Sequence, residues 1–204
     1  MTRLFMEPIN IETERLRLRQ WLPVDRGPFA ALNADPKVMA HFPAPLDRST
    51  SDALADRCEK LIAERGYGFW AVERKDQSRF IGFVGLHRPV ATLPFAPCIE
   101  IGWRLAREHW RQGFATEAAF ASLRDGFERL GLTEIVSFTP VGNKASRAVM
   151  RRIGMTEDAQ TFEHPSISEG HPLREHSLYR LNVAQWKAWA DIPKPDTDCP
   201  AGAT

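Results

Sequence analysis

The stretch that most constrains the fold runs from Ile99 to Gly131, where a strand, a glycine turn and a long helix follow one another directly. The helix is indicated by an apolar stripe at helical spacing. The stripe comprises Phe120, Leu123, Phe127 and Leu130. Gly113, at the start of this helix, has no side chain to keep a ligand from the backbone, and the free N–H groups of a helix start favour an anion. The stretch therefore predicts a pyrophosphate site, although many such glycine turns bind nothing.

Apolar runs indicate strands elsewhere along the chain. They lie at 14–21, 69–73, 80–86, 135–138 and 178–183, and the run at 99–105 joins them. The run at 14–21 alternates, with Leu16 and Leu18 facing one way and Arg15, Arg17 and Arg19 facing the other, toward solvent, which predicts a half-buried strand. The polar residues at 75–77 predict a hairpin between the runs at 69–73 and 80–86. Helices are predicted at 26–33, at 49–66 with Ser49 and Asp52 as a capping box, and at 144–152. Strands first and strand–helix alternation afterwards predict a mixed α/β sheet on one core. We expect one domain over residues 1–192 and a disordered, proline-bearing tail at 193–204.

The composition excludes several classes of function. Lys and Arg number 27 and Asp and Glu 26 among 204 residues, so the chain has no overall field to grip nucleic acid or an acidic membrane. Its three cysteines form no C-x-x-C pair and, together with six histidines, show no zinc-ligand spacing. Residues 1–10 do not predict a signal peptide, and no apolar run approaches the roughly 20 residues of a membrane span. We expect a soluble cytoplasmic protein without a metal.

Two segments carry a family resemblance. Glu-Ile-Gly-Trp at 100–103, followed by Trp-Arg-Gln-Gly-Phe-Ala-Thr-Glu-Ala at 110–118, resembles the acetyl-CoA-binding motif of the GNAT superfamily of N-acetyltransferases. Val-Gly-Asn-Lys-Ala-Ser-Arg-Ala-Val-Met-Arg-Arg-Ile-Gly-Met at 141–155 resembles that family's second motif. Residues 13–19 and 68–72 are similar to the RimJ/RimL-like branch, the ribosomal-protein N-terminal acetyltransferases.

The resemblance implies the GNAT fold, with a central mixed, mostly antiparallel sheet flanked by helices. Two parallel strands, matching Ile99–Leu105 and Ile135–Phe138, would splay apart and receive the pantetheine arm of acetyl-CoA. Backbone N–H groups near Trp103 would hold the thioester, and Asn143 would bond the pantetheine. The cofactor residues that the resemblance implies are Trp103, Arg104, Leu105, Arg111, Gln112, Gly113, Phe114, Ala115, Thr116, Asn143 and Ser146.

Acetyl transfer to an amine needs a base for the ammonium group and an exit for the thiolate. Glu100 is the candidate base, directly or through water, unless it makes a structural ion pair. Glu73 is the second choice. Ser146 is the candidate proton donor to the sulfur, and its alternative is a solvent-exposed helix residue. Many relatives have tyrosine where this chain has Met150, which cannot donate a proton, so either Ser146 donates or the thiolate leaves unaided.

Six basic residues crowd the two motifs, and we expect one or two of them at the 3′-phosphate of coenzyme A. They are Arg107, Arg111, Lys144, Arg147, Arg151 and Arg152. In relatives, segments matching those of His41, Phe42, Trp70 and His87 wall the acceptor side.

The branch resemblance favours a protein N-terminal α-amine as acceptor, and look-alikes are often dimers, so a homodimer is considered too. One alternative acceptor is a small-molecule amine, such as an antibiotic, a polyamine or an amino acid. The other alternative is a coenzyme A-binding sensor that has lost turnover.

Overall fold

In the computed structural model, which describes residues 9–90 and 92–190, a nine-stranded sheet forms the centre of the protein. Its strands are β1 (Ile11–Glu12), β2 (Leu16–Arg19), β3 (Phe69–Arg74), β4 (Arg79–His87), β5 (Glu100–Leu105), β6 (Glu134–Pro140), β7 (Thr156–Glu157), β8 (Phe162–Glu163) and β9 (Glu175–Asn182). The spatial order is β1-β2-β3-β4-β5-β6-β9-β7, and β8 pairs with β9. Strands β5 and β6 are parallel, and the other described pairs are antiparallel. The predicted mixed sheet is confirmed.

Helices cover both faces of this sheet. They are α1 (Arg26–Ala34), α2 (Arg48–Arg65), α3 (Phe114–Arg124), α4 (Lys144–Arg152) and α5 (Val183–Ala190). On one face, the ring of Phe83 in β4 packs 5.9 Å from that of Phe29 in α1. Three residues further along β4, Leu86 lies against Gly126, just after α3, on the opposite face. Because side chains alternate along a strand, each face has its own core. The predicted tail at 193–204 lies outside the described residues.

Two helix boundaries differ from their predictions. Helix α2 begins after Asp47, whose carboxylate accepts a hydrogen bond from the Thr50 amide at 2.7 Å. The predicted capping box of Ser49 and Asp52 is therefore wrong, because a carboxylate two residues upstream already caps the helix. Helix α3 gives way to a π-helical turn at Asp125–Arg129, where a side chain at Gly126 would displace the ends of the Ile135 and Leu86 side chains.

The N-terminal strand buries Leu16 and Leu18 as predicted, but it also buries Arg19. Arg19 donates to both oxygens of Asp25 at 2.7 and 2.9 Å and to Oε2 of Glu73 at 2.6 Å. The expectation of a solvent-facing Arg19 is wrong because the 3-10 turn at Pro23–Asp25 folds back over the strand and supplies a carboxylate. We call Arg17, Arg19, Asp25 and Glu73 the ion-pair cluster.

Strands β5 and β6 pair at one point and then part. Their register joins Glu100 to Val136, and the Ser137 hydroxyl donates to the Ile101 carbonyl at 2.9 Å. Beyond this point β5 continues to Leu105 and β6 to Pro140, with no further register pair between them in the described sheet. We call the space between the diverging strands the β5–β6 gap. It matches the splayed parallel pair expected from the family resemblance.

Candidate active site

Glu100 lies where the β5–β6 gap begins, and its carboxylate is held by a histidine. Nε2 of His87, its register partner on β4, is 2.7 Å from Oε2 of Glu100. Both side chains are mostly buried, with 14% of Glu100 and 22% of His87 exposed. The other carboxylate oxygen has no hydrogen-bond partner among residues 9–90 and 92–190. Glu100 therefore keeps one oxygen for a further partner, and an imidazole rather than a guanidinium fixes its orientation.

Glu73, the second candidate base, lies elsewhere. It occupies the end of the β3–β4 hairpin next to Phe80, whereas His87 and Glu100 lie beyond the opposite end, where Phe69 faces Gly85. Both Glu73 oxygens are bound, one by Arg17 at 3.2 Å and the other by Arg19 at 2.6 Å. Glu73 thus belongs to the ion-pair cluster and does not face the cleft of Glu100.

The turn before α3, residues 111–116, contains two residues with a left-handed backbone, and we call it the anion turn because a helix start favours an anion. Gly113 has φ +82° and Arg111 has φ +58°, both in the left-handed region. The Phe114 ring is buried in the core, and the Gln112 side chain donates to the Glu108 carbonyl at 2.7 Å. These two residues therefore offer their backbone rather than their side chains to a ligand. Ala115 and Thr116 follow in the first turn of α3 and are half-buried.

A groove of about 1170 Å³ opens at this turn and follows α3. Its lining combines both motif segments with the β1–β2 region. The lining residues central to the site are Arg111, Gly113, Thr116, Arg124 and Arg152. The groove brings Arg111 and Arg152 to one surface from segments about 40 residues apart in the sequence. The groove therefore presents two arginines, which form no ion pair within the described residues, beside the turn that follows β5.

Glu117 ties the anion turn to the N-terminal segment, a contact that the sequence did not predict. It accepts from the Thr13 hydroxyl at 2.6 Å, the Arg15 amide at 3.0 Å and the Arg15 guanidinium at 2.7 Å. Arg15 also donates to the Gln112 carbonyl at 3.0 Å. Burial raises the pKa of Glu117, but the hydrogen bonds from Thr13 and Arg15 outweigh it and leave the pKa lowered. The turn is therefore braced by an ionised carboxylate.

Asn143 and Ser146 adjoin the far strand of the gap. The Asn143 side-chain oxygen accepts from the Ser146 amide at 3.2 Å and so caps α4, and its Nδ2 donates to Thr139 at 2.9 Å and to the Ser146 hydroxyl at 3.1 Å. The Ser146 oxygen is thus an acceptor for Asn143, which leaves its own proton free. Met150, one turn later, is 2% exposed and belongs to the core.

The remaining basic candidates fall into two groups. Arg147 and Arg151 are engaged on the β7–β9 side, where Arg147 contacts Glu157 at 2.6 Å and Arg151 contacts the Tyr179 hydroxyl at 2.9 Å. Arg107 and Lys144 have no carboxylate partner within the described residues. Of the six basic residues near the two motifs, Arg111 and Arg152 line the groove.

The candidate residues of the acceptor side differ in burial and in their contacts. Trp70 is fully buried and serves the core, while Phe42 is 37% exposed and stacks on Arg104 with 4.0 Å between the guanidinium carbon and the ring centroid. Burial lowers the pKa of His41.

A cluster of rings that the sequence did not predict lies near Glu100. We call it the aromatic wall. It comprises Phe95, Phe138, Phe162, His164 and His176. Burial lowers the pKa of His164. The negative charge of Glu100 raises it in part, because Glu100 lies near His164.

Within residues 9–90 and 92–190, no group of three or more His, Cys, Asp or Glu side chains is arranged to hold a metal ion. Across the same residues, no helix combines the length and apolar character needed to cross a membrane.

Comparison with known proteins places this geometry in a family. The Acetyltransferase (GNAT) domain family matches residues 15–156. An uncharacterized N-acetyltransferase of Bacillus subtilis, YoaA, is 30% identical over 180 residues, which is 87% of this chain and 96% of YoaA. The FsC-acetyl coenzyme A-N(2)-transacetylase of Aspergillus fumigatus is 41% identical over 101 residues, 47% of this chain and 40% of that protein. The crystal structure of an acetyltransferase from Agrobacterium tumefaciens aligns with a TM-score of 0.71 and 28% identity, covering 89% of this chain and 99% of that one.

Proposed function

Because the chain belongs to the GNAT acetyltransferase family, we propose that this acetyl-CoA-dependent N-acetyltransferase modifies an α-amine at the Glu100 end of the β5–β6 gap. The favoured acceptor is the amino terminus of a protein, as in the RimJ/RimL-like branch that its motifs resemble. We further propose that residues 1–192 form a single acetyltransferase domain.

The observation that carries the proposal is the Glu100–His87 pair at the mouth of the gap. An acceptor amine is mostly protonated at neutral pH and must lose a proton before it attacks. An α-amine, with a pKa of about 7.7–8.0, releases that proton far more easily than a lysine side chain at about 10.4. The free oxygen of Glu100 is suited to accept it, directly or through a water, while His87 holds the carboxylate in place.

Acetyl-CoA supplies the activated acetyl group as a thioester. The residues suited to hold it run along one path through the site. At its start, the turn at 111–116 offers backbone N–H groups to the pyrophosphate, with Arg111 and Arg152 beside it. Further on, β5 is bonded to β4 along one edge and faces the gap with the other. Backbone groups alternate along a strand, so the N–H groups of Trp103 and Leu105 can meet the carbonyl oxygen, whereas the N–H of Arg104 faces β4.

The departing thiolate needs either a proton or tolerance of its charge. Ser146 accepts from Asn143, so its hydroxyl proton is free for the sulfur. Met150 cannot take this role, because it has no acidic proton and lies in the core. We assign the proton donation to Ser146.

A small-molecule amine is the second candidate acceptor. It is favoured by the Aspergillus fumigatus relative, whose name specifies FsC and an N(2) nitrogen and which matches over 101 residues. Both acceptors use the same base and cofactor site, and they differ only in what the acceptor-side walls contact.

An acceptor panel tests the proposal. Thiol release from acetyl-CoA is measured with a peptide whose lysines are blocked, the same peptide with a blocked amino terminus and free lysine, free amino acids and polyamines. We expect the free-terminus peptide to react fastest. Turnover of only the small amines would transfer the protein to the second candidate, and no turnover with any amine would favour a coenzyme A-binding sensor.

A further inference from the structure

Arg104 is a half-buried cation without an anionic partner in the described protein. Its terminal nitrogen Nη1 donates to Oδ1 of Asn33 at 2.6 Å, and its guanidinium lies between the rings of Phe42 and Phe83, 4.0 and 5.3 Å from their centroids. Its Nε is buried without a hydrogen-bond partner. Across residues 9–90 and 92–190, no carboxylate lies within ion-pair distance of it.

The electrostatic consequence is unusual for an arginine. Burial lowers the pKa of Arg104 to about 10, and no carboxylate offsets that effect. The side chain nevertheless stays protonated at neutral pH. Leaving a buried charge unpaired opposes folding, so such a group is retained where something other than stability requires it.

The unused part of the guanidinium has the geometry of a carboxylate site. Arginine binds carboxylates in pairs of parallel hydrogen bonds, commonly through Nε and one terminal nitrogen. Asn33 occupies Nη1 alone, so the edge formed by Nε and Nη2 has no hydrogen-bond partner among the described residues. Nε has almost no surface open to solvent, so a ligand would approach this edge through Nη2. Arg104 as a whole is only half-buried, so part of its side chain is open to solvent.

Position relates this edge to the proposed reaction. Side chains of residues 100, 102 and 104 share one face of β5, since every second residue of a strand points the same way. Glu100 and Arg104 are four residues apart, about 13 Å along the strand. Gly102 lies between them without a side chain, and a Cβ there would be only 3.2 Å from Phe69. The Phe69 ring therefore packs over Gly102, and an acceptor that reaches from Glu100 to Arg104 would lie across this ring.

We infer that the acceptor carries a carboxylate, which pairs with the free edge of Arg104 while its α-amine lies at Glu100. This inference rests on the proposed function and names the substrate class of the same site. Arg104 then acts as a specificity-determining residue. A polyamine is disfavoured, because its second ammonium group would meet the Arg104 cation. The carboxylate has two possible sources, the acidic side chain of a residue near a protein amino terminus or the carboxyl group of a free amino acid.

Matched acceptors test the inference. One pair consists of two peptides that differ only by Asp or Asn at the second residue, and the other of a free amino acid and its amide. We expect kcat/KM in the wild-type protein to be at least about tenfold higher for the carboxylate member of one pair, and the responding pair identifies the source. Arg104→Gln should bring that ratio close to one, and Arg104→Lys, which keeps the charge, should retain part of it.

A ratio near one in the wild-type protein, or an unchanged ratio in Arg104→Gln, would overturn the inference while leaving acetyl transfer intact. Melting temperatures with coenzyme A and each member of the pairs test the same contact without turnover. If no amine is acetylated but the carboxylate members still raise the melting temperature in an Arg104-dependent way, the proposed function fails and the binding site stands.

Discussion

The ion-pair cluster and the cleft around Glu100 use the same residue types in opposite ways. Arg19 is buried and Arg104 is half-buried. Arg19 is surrounded by Asp25 and Glu73, whereas Arg104 has only an amide and two rings. Burial opposes the charge of both. For Arg19 the hydrogen bonds to its two carboxylates outweigh burial and raise its pKa, whereas the pKa of Arg104 is lowered to about 10.

The carboxylates of Glu73 and Glu100 differ in the same way as the two arginines. Glu73 has an arginine on each oxygen, and Glu100 has one histidine and one free oxygen. A charge whose hydrogen bonds are all satisfied within the chain contributes to the folded state and has nothing left for a ligand. The comparison teaches that binding capacity lies where the pairing is incomplete, and the following experiments are chosen to break or sharpen it.

The largest effect is expected at the anion turn, on the open side of the comparison. Gly113→Glu should abolish acetyl-CoA binding in calorimetry, because it adds a side chain and a negative charge where the pyrophosphate is proposed to lie. Gly131→Glu is the matched control, since Gly131 also has a positive φ, +65°, and open space around it. Similar affinities of the two folded variants for acetyl-CoA would show that the pyrophosphate does not bind at this turn.

Substitution of Glu100, the incompletely paired carboxylate, should lower the rate of acetyl transfer. Glu100→Gln keeps the shape and the contact to His87 but removes the base, so kcat/KM should fall roughly 100- to 10,000-fold. The acidic limb of the pH–rate profile should flatten, while acetyl-CoA affinity stays constant. An intact acidic limb would assign the deprotonation to water.

Substitution of Glu73, the fully paired carboxylate, should lower the stability of the folded state instead. Glu73→Gln leaves Arg19 with Asp25 alone, and breaking a buried ion pair from one side typically destabilises by about 3 kcal/mol. Urea denaturation measures the loss, and kcat of the folded variant should match the wild type. A large fall in kcat with unchanged stability would reverse the roles of the two glutamates.

Ser146→Ala tests the far strand of the gap. If Ser146 protonates the sulfur in the transition state, kcat should fall by roughly 100-fold with little change in acetyl-CoA affinity. The substitution leaves the Ser146 amide, and with it the α4 cap from Asn143, in place. A normal kcat would return Ser146 to a structural role at the start of α4.

The smallest expected effect is a decrease in melting temperature at acidic pH. Burial lowers the pKa of His109 and of His176, both nearly inaccessible, so the folded state resists their protonation. A lowered folded-state pKa contributes stability above the unfolded value of about 6.5, and that contribution is lost as the pH falls below it. Melting temperature should therefore begin to decrease below pH 6.5. Imidazole NMR titration of these two histidines measures the cause directly, and a constant melting temperature from pH 7 to 5 would contradict it.

Local features of the fold were predictable to within a few residues. Helix α4 was expected at 144–152 and is found there, and the hairpin at 69–86 became β3 and β4. Gly66 and Gly113 both adopt the left-handed backbone that ends one helix and precedes another. The α2 cap failed because Asp47 competes with Ser49 within one turn, a choice that residue preferences alone do not settle.

The candidate site was predictable only in part. The motif residues identified the anion turn, the gap and Glu100, but not the partners of Glu100. The aromatic wall was missed because its rings come from the loop before β5, from β6 and from the β8–β9 region, and no local pattern marks them as neighbours.

The sequence by itself determined the fold class, the order of strands and helices, and the turn where a phosphate is expected. These depend on periodicity, on turn residues and on motifs, all of which act between residues close in the chain. Only the tertiary structure decided which charges are satisfied. Arg19 meets Glu73 across 54 residues, Arg104 meets Asn33 across 71, and Arg15 meets Glu117 across 102. Strand register and the packing of distant segments fix these distances, and they determine whether a given carboxylate or guanidinium stabilises the fold or remains free for a substrate.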